Sequence, residues 1–449
     1  MNAEQNERMT RIGPGTPAGA VLRRYWQPAA LVEELPQERP VKEVLLLGES
    51  LVLFRKPDGN YGLIGRHCPH RGADLCFGRL EAQGLRCVFH GWLFDQHGAC
   101  LDTPAEPEGR KLHPHLRHTA YPCMARSGVV FAYLGPGEPP PLPAFDCFIA
   151  PDDFTFAFKG LWECNWLQAQ EVGIDPAHAS FLHRFLEDED PGASYGKQFR
   201  GAAADAEVPL SSILRDYPRP QINVESTGYG LRLVTLRKLD EQSMHVRVTN
   251  GIFPNAICIP MSNEMTITQW HVPIDDENSY WYSIFTSFGA RVDRALMRQQ
   301  RLEMHELPSY ASKRNRSNRY GYNVQEQASM TYTGMGFDIN VHDQWAVESL
   351  GRIQDRTQEH LGRSDIGIVH NRRLLLQAIE SVANGEAALP MLGMPPTQLT
   401  GPIALDEIAP LDGWQQAWVA RDGRRREACE WWAAASSKPD PRISDTEAR

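Results

Sequence analysis

The chain has 449 residues, too many for one ordinary hydrophobic core, so at least two domains are expected. Hydrophobic content of 42% and charged content of 23% are those of a soluble globular protein, and no apolar run is long enough for a membrane span. A net charge of −10 argues against a nucleic-acid partner, which wants a basic face. The first residues, Met1 to Gln5, carry no signal-peptide core, so a cytoplasmic location is expected. Two of the nine cysteines fall in a metal-binding pattern described below. The other seven have no framework spacing and are expected to be reduced thiols.

In chain order, residues 1–40 are expected to form an N-terminal segment that packs on the larger, later domain. Residues 41–136 read as short strands punctuated by turns. Val44–Leu47, Leu51–Phe54 and Gly62–Ile64 are apolar runs, and Asp58-Gly59 is a hairpin signal. Two motifs interrupt this set, Cys68-Pro69-His70 and Cys87-Val88-Phe89-His90. Structural zinc sites of the same composition usually pair Cys with Cys and His with His. Here each pair mixes one Cys with one His, which suits a [2Fe–2S] cluster gripped by two loops, with thiolates on one iron and imidazoles on the other. Cys68, His70, Cys87 and His90 are therefore the expected cluster ligands. Gly72, Gly78, Gly84 and Gly91 flank them, as close backbone approach to a cluster requires. Arg66, Arg71, Arg79 and Arg86 outnumber Asp74 and Glu81 there, either steering an acidic electron donor or forming an ordinary solvated surface.

Gly137 to Pro143 is a stiff proline-rich connector, and residues 144–449 are expected to be the second domain. Helical patterning runs around 160–187, 290–313, 341–352 and 366–383. Strand patterning runs around 221–239, 244–259, 264–273 and 279–288. An antiparallel sheet with helices on one side, an α+β fold, fits this order. Residues 184–216 and those beyond Asn384 have little periodicity and read as loops or arms.

The helical stretch from Asn165 to His183 contains Asp175, His178 and His183. Two histidines and a carboxylate on one face, with other positions open, suit non-heme Fe(II) and O₂ chemistry. His178 and His183 sit five apart, roughly 140° around an ideal helix, so they converge only if the helix is distorted, as by a π-bulge. Asp175, followed by Pro176, is placed either as an N-cap or as an acceptor for the free ring N–H of His178. The stretch Phe337 to Ser349 offers Asp338, Asp343 and Glu348 as the carboxylate, and residue type does not choose among them.

Taken together, these segments resemble the oxygenase (alpha) component of Rieske non-heme iron ring-hydroxylating oxygenases of the phthalate 4,5-dioxygenase-like kind. The likeness rests on Arg11 to Pro17, Arg24 to Pro28, the two Cys/His loops, Asp175-x₂-His178-x₄-His183, Trp270 to Asp276 and Glu348 to Arg356. It implies a small all-β Rieske domain and a helix-grip (START-like) catalytic domain. By position it implies mononuclear iron ligands at His178, His183 and Asp343, with His342 a neighbour and no ligand. It also implies a bridging role for Asp175 toward a Rieske histidine of the adjacent subunit, hence a trimer or a dimer of trimers. Electrons are expected from a separate NAD(P)H-dependent reductase of flavin or ferredoxin type, since the chain has no Gly-rich dinucleotide fingerprint. Hydroxylation of an aromatic carboxylate in aromatic catabolism is the implied activity, with O-demethylation of methoxylated or aryl-ether acids as the alternative. Arg247 and Arg219 are candidate carboxylate anchors, each with an ordinary ion pair as the competing reading. Trp166, Phe181, Phe253 and Trp345 are candidates for an apolar pocket, and core packing explains any one of them equally well.

Overall fold

A computed structural model of the chain describes residues 1–107, 115–186, 208–386 and 400–432. The N-terminal segment begins with the helix Ala3–Thr10, held by a capping box between Asn2 and Gln5. A second helix, Pro17–Leu22, starts on the Thr16 side chain with proline in its first turn. The strand Gln27–Leu31 then pairs antiparallel with Val129–Ala132, which also pairs with Cys123–Arg126. This segment is tied to the later domain as well: Asn165 Nδ2 donates to the Thr10 and Asp276 carbonyls at 2.9 and 2.7 Å.

The metal-loop region is all β, as its alternating apolar runs require. One four-stranded sheet holds Val41–Leu46, Glu49–Arg55, Tyr61–Gly65 and Ala120–Tyr121, with the Asp58-Gly59 turn joining its second and third strands. A second holds Arg79–Glu81, Gly84–Arg86, Leu93–Phe94 and Cys100–Asp102. Val52, Phe54, Ile64, Leu75, Leu85 and Phe94 form the core between them. The connector Gly137–Pro143 has no regular structure, but the Trp26 indole N–H fastens it by donating to the Pro140 carbonyl at 2.6 Å.

The larger part is α+β. Its sheet runs as an antiparallel meander through Gln221–Thr227, Gly230–Lys238, Ser243–Ile252, Ala256–Pro260, Met265–Pro273 and Ser279–Ser287, and then adds Thr155–Trp162. Two helices matter for position: Trp166–Gly173, which packs on Met265–Pro273, and Ile339–Ser349, which packs on Trp166–Gly173. The long helix Ile366–Ala383 packs against the N-terminal helix Pro17–Leu22 and the strand Gln221–Thr227.

Three expectations change. The start of the 160–187 helical stretch is the end of the strand Thr155–Trp162, whose Phe156, Phe158 and Trp162 alternate into the core. Within 184–216, residues 187–207 lie outside the described ones, and Leu210–Asp216 is a helix. Beyond Asn384 the expected arm contains the strand Leu405–Pro410, paired with Ser243–Ile252, and the helix Trp414–Ala428. That helix is rich in arginine and its apolar face is short: Trp414, Ala417 and Trp418 pack with Leu405 and Ala409 of the strand, and further along Arg426 pairs with the buried Asp146 at 2.8 Å. Among the described residues, no helix is long and apolar enough to cross a membrane.

Candidate metal centres and substrate cavity

The two Cys/His loops have the same backbone bonds. Gly72 N–H donates to the Cys68 carbonyl at 2.8 Å, and Gly91 N–H to the Cys87 carbonyl at 3.0 Å. Both glycines are left-handed, at φ +75° and +79°, which lets each loop turn back within five residues. The turns bring Cys68 and Cys87 together. Burial, partly offset by the His70 backbone N–H and reinforced by the Cys87 thiol, pushes the Cys68 thiol up to about 11. The His70 and His90 rings meet edge to face at 4.4 Å, and His70 stacks on Trp92 at the same spacing. His70 Nδ1 is buried without a hydrogen-bond partner. Two crowded thiols and an orphaned imidazole nitrogen are a donor set that a Rieske [2Fe–2S] cluster satisfies.

Around these loops the arginines divide. Arg66 is bound to Asp74 and Glu43, and Arg86 to Glu81 and Asp102. Arg71 lies over the exposed Phe89 ring at 5.3 Å. Phe77, Val88 and Phe89 are exposed beside the loops at 72%, 58% and 55%.

The second site forms where Trp166–Gly173 ends. Asp175 Oδ1 caps the next turn by accepting from Ala177 N–H at 2.8 Å. One turn of helix, Ala179–Leu182, follows, and His183 leaves it at φ −102°, ψ 20°. Convergence of His178 and His183 thus comes from stopping the helix after one turn, with no π-bulge. Their Nε2 atoms are 3.2 Å apart. Asp343 Oδ1, from Ile339–Ser349, lies 3.7 Å from His178 Nε2 and 3.1 Å from His183 Nε2. The other two carboxylates are spent elsewhere. Asp338 caps its helix on Asn340 N–H and pairs with Arg301 at 3.0 Å, and Glu348 accepts from Glu163 N–H, Gln344 and Tyr320.

The outer partners settle which ring nitrogens carry protons. His178 Nδ1–H donates to the Asp175 carbonyl, so its Nε2 presents a lone pair. His342 Nε2–H donates to the Gly336 carbonyl at 2.8 Å, leaving Nδ1 to accept from His183 Nδ1–H at 3.4 Å. His183 Nε2 is then also a lone pair. Asp343 Oδ1 is buried with no hydrogen bond. Three lone pairs converging without a proton between them repel one another unless a cation sits there. The residues therefore fit a 2-His-1-carboxylate iron site. His342, expected as a neighbour and no ligand, stands beside His183; its part as the acceptor for that ring was not assigned from the sequence.

A cavity lies beside the three donors, which form part of its lining. Strand alternation builds its wall: Ile257 and Ile259, then Ile267, Gln269 and His271, then Trp281, Ser283 and Phe285 all face inward. Arg247 also lines it, bound to Asp406 of the strand Leu405–Pro410, which also holds His245 at 3.0 Å. Asp406 fell in the segment expected to be an arm and so was missed. Arg219 is exposed and does not line the cavity. Neither do Trp166, Phe181, Phe253 or Trp345; Trp162, Trp281 and Phe285 are the aromatic lining. Phe181 and Trp345 lie instead on an outer concavity that includes His178, and Phe253 lines an apolar pocket with Tyr25 and Trp26.

Comparison with known proteins agrees with both halves. Residues 25–122 match the Rieske [2Fe-2S] domain family, and residues 132–403 match the "LigXa C-terminal domain like" family. The chain is 34% identical over 394 residues to the 5,5'-dehydrodivanillate O-demethylase oxygenase subunit of Sphingobium sp. (strain NBRC 103272 / SYK-6), covering 86% of this chain and 82% of that one. It is 33% identical over 407 residues to the phthalate 4,5-dioxygenase oxygenase subunit of Pseudomonas putida, covering 87% and 88%. Among solved structures, Pseudomonas putida CBB5 NdmA QL mutant with theobromine shares the fold at TM-score 0.55 and 18% identity, covering 86% of this chain and 97% of that one. The chain belongs to the Rieske non-heme iron oxygenases, as a phthalate 4,5-dioxygenase-like oxygenase component whose cofactors are a [2Fe–2S] cluster and a mononuclear iron.

Proposed function

We propose that this chain is the terminal oxygenase of a multicomponent system, hydroxylating an aromatic carboxylate in the cavity beside His178, His183 and Asp343. The observation that carries the reading is the convergence of those three donors at one end of a largely apolar cavity. Cys68, His70, Cys87 and His90 would hold the cluster, and His178, His183 and Asp343 the mononuclear iron. When bound, the two centres supply single electrons and activate O₂. The protein's part is to aim and to exclude. The Asp175 carbonyl and His342 lock the two ring tautomers, and the isoleucine wall keeps bulk water from the reacting end of the substrate.

Asp175 has its Oδ2 3.9 Å from His178 Nδ1, so its carboxylate flanks the donor set without joining it. We assign it the bridge toward the cluster of a neighbouring copy. Two exposed apolar surfaces support a ring of copies. Phe77, Val88 and Phe89 flank the cluster loops, and Phe181, Tyr332 and Trp345 surround His178 on the outer concavity. Each would cover the other in a head-to-tail trimer. Electrons would come from a separate ferredoxin or flavin reductase, and the solved relatives include a carbazole 1,9a-dioxygenase oxygenase in complex with ferredoxin.

Arg247 is the one cation among the described residues lining the cavity. Because Asp406 already binds it, a substrate carboxylate would share the guanidinium. O-demethylation is the second reading. It is favoured by the uncharged polar wall of Gln269, His271 and Ser283 and by similarity to a dehydrodivanillate O-demethylase.

The test is turnover with a surrogate reductase, comparing oxygen uptake with product for phthalate, 3-chlorobenzoate, phenoxybenzoate and methoxybenzoates, alongside iron analysis. About three irons per chain and product from an aromatic acid are expected. Only two irons, or no product from any aromatic acid, would overturn the assignment.

A further inference from the structure

One wall of the cavity carries a chain of hydrogen bonds whose direction is fixed from its far end. Gln170 Nε2 donates to the Ala256 backbone carbonyl at 2.9 Å, which can only accept. That orients the Gln170 amide, so its Oε1 accepts from His271 Nδ1–H at 2.9 Å. His271 is fully buried, and burial pushes its ring down to about 3, so it stays neutral and its Nε2 is an acceptor. Gln269 Nε2 fills that acceptor at 3.0 Å. The Gln269 amide is thereby oriented as well, and its Oε1 takes the Ser283 hydroxyl proton at 2.7 Å across the directly paired strands. Each choice follows from the one before it, and none is free to flip without orphaning a buried group.

What this relay leaves facing the cavity is limited. Gln269 retains its second amide N–H as a donor, and Ser283 Oγ retains a lone pair as an acceptor. Gln269 and Ser283 both line the cavity, one and two strands respectively beyond Ala256–Pro260 in the meander. There is no charge in the relay. A carboxylate placed there would meet one donor and one repelling lone pair. An ether oxygen, which only accepts, would leave Ser283 Oγ unfilled. A hydroxyl accepts from Gln269 and donates to Ser283, and so satisfies both.

We propose that Gln269 and Ser283 form a subsite for a ring hydroxyl on the aromatic substrate, so that the preferred substrates are phenols. The inference rests on the oxygenase reading for the cavity's being a substrate site, and it deepens that reading by naming the substrate class. Gln170 and His271 are positioning residues that hold the amide of Gln269 in the orientation the subsite needs.

The test is equilibrium binding to the resting holoenzyme, so that it does not depend on turnover. The probes are matched pairs that differ only in the ring hydroxyl: vanillate with 3-methoxybenzoate, and 4-hydroxybenzoate with benzoate. Capping the same oxygen, as in 3,4-dimethoxybenzoate, gives a third member. The phenol of at least one pair should bind about tenfold or more tighter than both its deoxy and its methyl-capped partners, the usual order for a buried hydroxyl with both partners present. Ser283→Ala and Gln269→Leu should each collapse that preference while leaving the weaker partner's affinity near wild type. Cluster absorption and iron content report that each variant is folded and loaded; Ser283→Ala, which removes a single oxygen, keeps the test open if Gln269→Leu does not fold. A wild-type preference of about one, a panel in which no phenol binds, or a preference that survives Ser283→Ala would overturn the subsite. Failure of the oxygenase reading looks different: tight phenol binding with no product from either member of any pair.

Discussion

Replacing His342 by phenylalanine isolates the least obvious contact at the mononuclear site. The ring of His342 is wholly buried and nearly parallel to that of His183, with centroids 5.6 Å apart and planes at 22°. A phenyl ring keeps that packing and the volume but offers no acceptor for His183 Nδ1–H. The contact at 3.4 Å is long for a hydrogen bond, so its direct strength is modest. Its consequence is larger than its strength, because His183 is only 4% exposed and the contact selects the tautomer that frees Nε2. Loss of such an outer partner lowers metal affinity about 10- to 100-fold, and the long distance places this case toward the lower figure, about tenfold. The assay is retention of mononuclear iron during dialysis against graded chelator, with cluster absorption as the internal standard. His342→Gln supplies an amide that can accept from His183 and donate to the Gly336 carbonyl, so it should restore most of the loss. Equal iron retention in His342→Phe and wild type, with the cluster intact, would refute the tautomer argument.

Three other variants probe separate parts of the structure. Glu171 is buried between Arg356 and Arg372, at 2.9 and 2.5 Å, in the helix leading directly to Asp175. Glu171→Gln leaves the buried Arg356 without a carboxylate, while Arg372 keeps Glu359, and should cost about 3 kcal/mol in denaturant unfolding, with mononuclear iron lost before the cluster; a cost below about 1 kcal/mol would mean the network is not holding that helix. Asp175→Asn keeps an oxygen to cap Ala177 and both metal sites, yet turnover with reductase should fall steeply, whereas near-normal turnover would remove the bridge role. His305 is held down to about 4 by burial and by Arg301. Between its ordinary value of about 6.5 and 4 the unfolded chain carries a proton that the folded one does not, so stability falls as pH drops through that window, by about 3 kcal/mol in all. His305→Phe keeps the ring contacts with Phe158 and Trp281, and its unfolding free energy should lose that part of the acid slope; parallel slopes in variant and wild type would show that His305 titrates normally.

Local signals were the legible ones. The Cys/His pairs lie within single turns, and the strands from Gln221 to Ser287 announce themselves by alternation. Asp58-Gly59 marks its hairpin because the turn requires a left-handed residue, and Gly59 takes φ +88°. What depended on distant partners was not legible. Asp338, Asp343 and Glu348 are alike as residue types, and only their neighbours Arg301, His183 and Tyr320 tell them apart. The helix Trp414–Ala428 has only a short apolar face, Trp414, Ala417 and Trp418, and its far end is fastened by the ion pair of Arg426 with the distant Asp146. Missing that segment also hid Asp406, and with it the fact that Arg247 enters the cavity already paired.

The positions of these groups in the fold separate reactivity from selectivity. All three mononuclear donors come from helical segments or their ends, at His178, His183 and Asp343. The polar residues proposed to contact substrate line the cavity from the sheet, at Arg247, Gln269 and Ser283, on three strands. A side chain on that wall can change without moving a helix end, because a strand's backbone register is held by its neighbours and not by the side chain facing the cavity. Selection on the wall alone can therefore retune the substrate while the donor set stays fixed. Relatives at 31–34% identity that are named for dehydrodivanillate, phthalate and 3-chlorobenzoate are what such a division permits. In this chain, the relay from Ala256 to Ser283 makes the wall stiffer than a row of independent side chains. Substitution at Gln170, which touches neither substrate nor metal donors, should thus alter which ring is accepted before it alters how tightly iron is held.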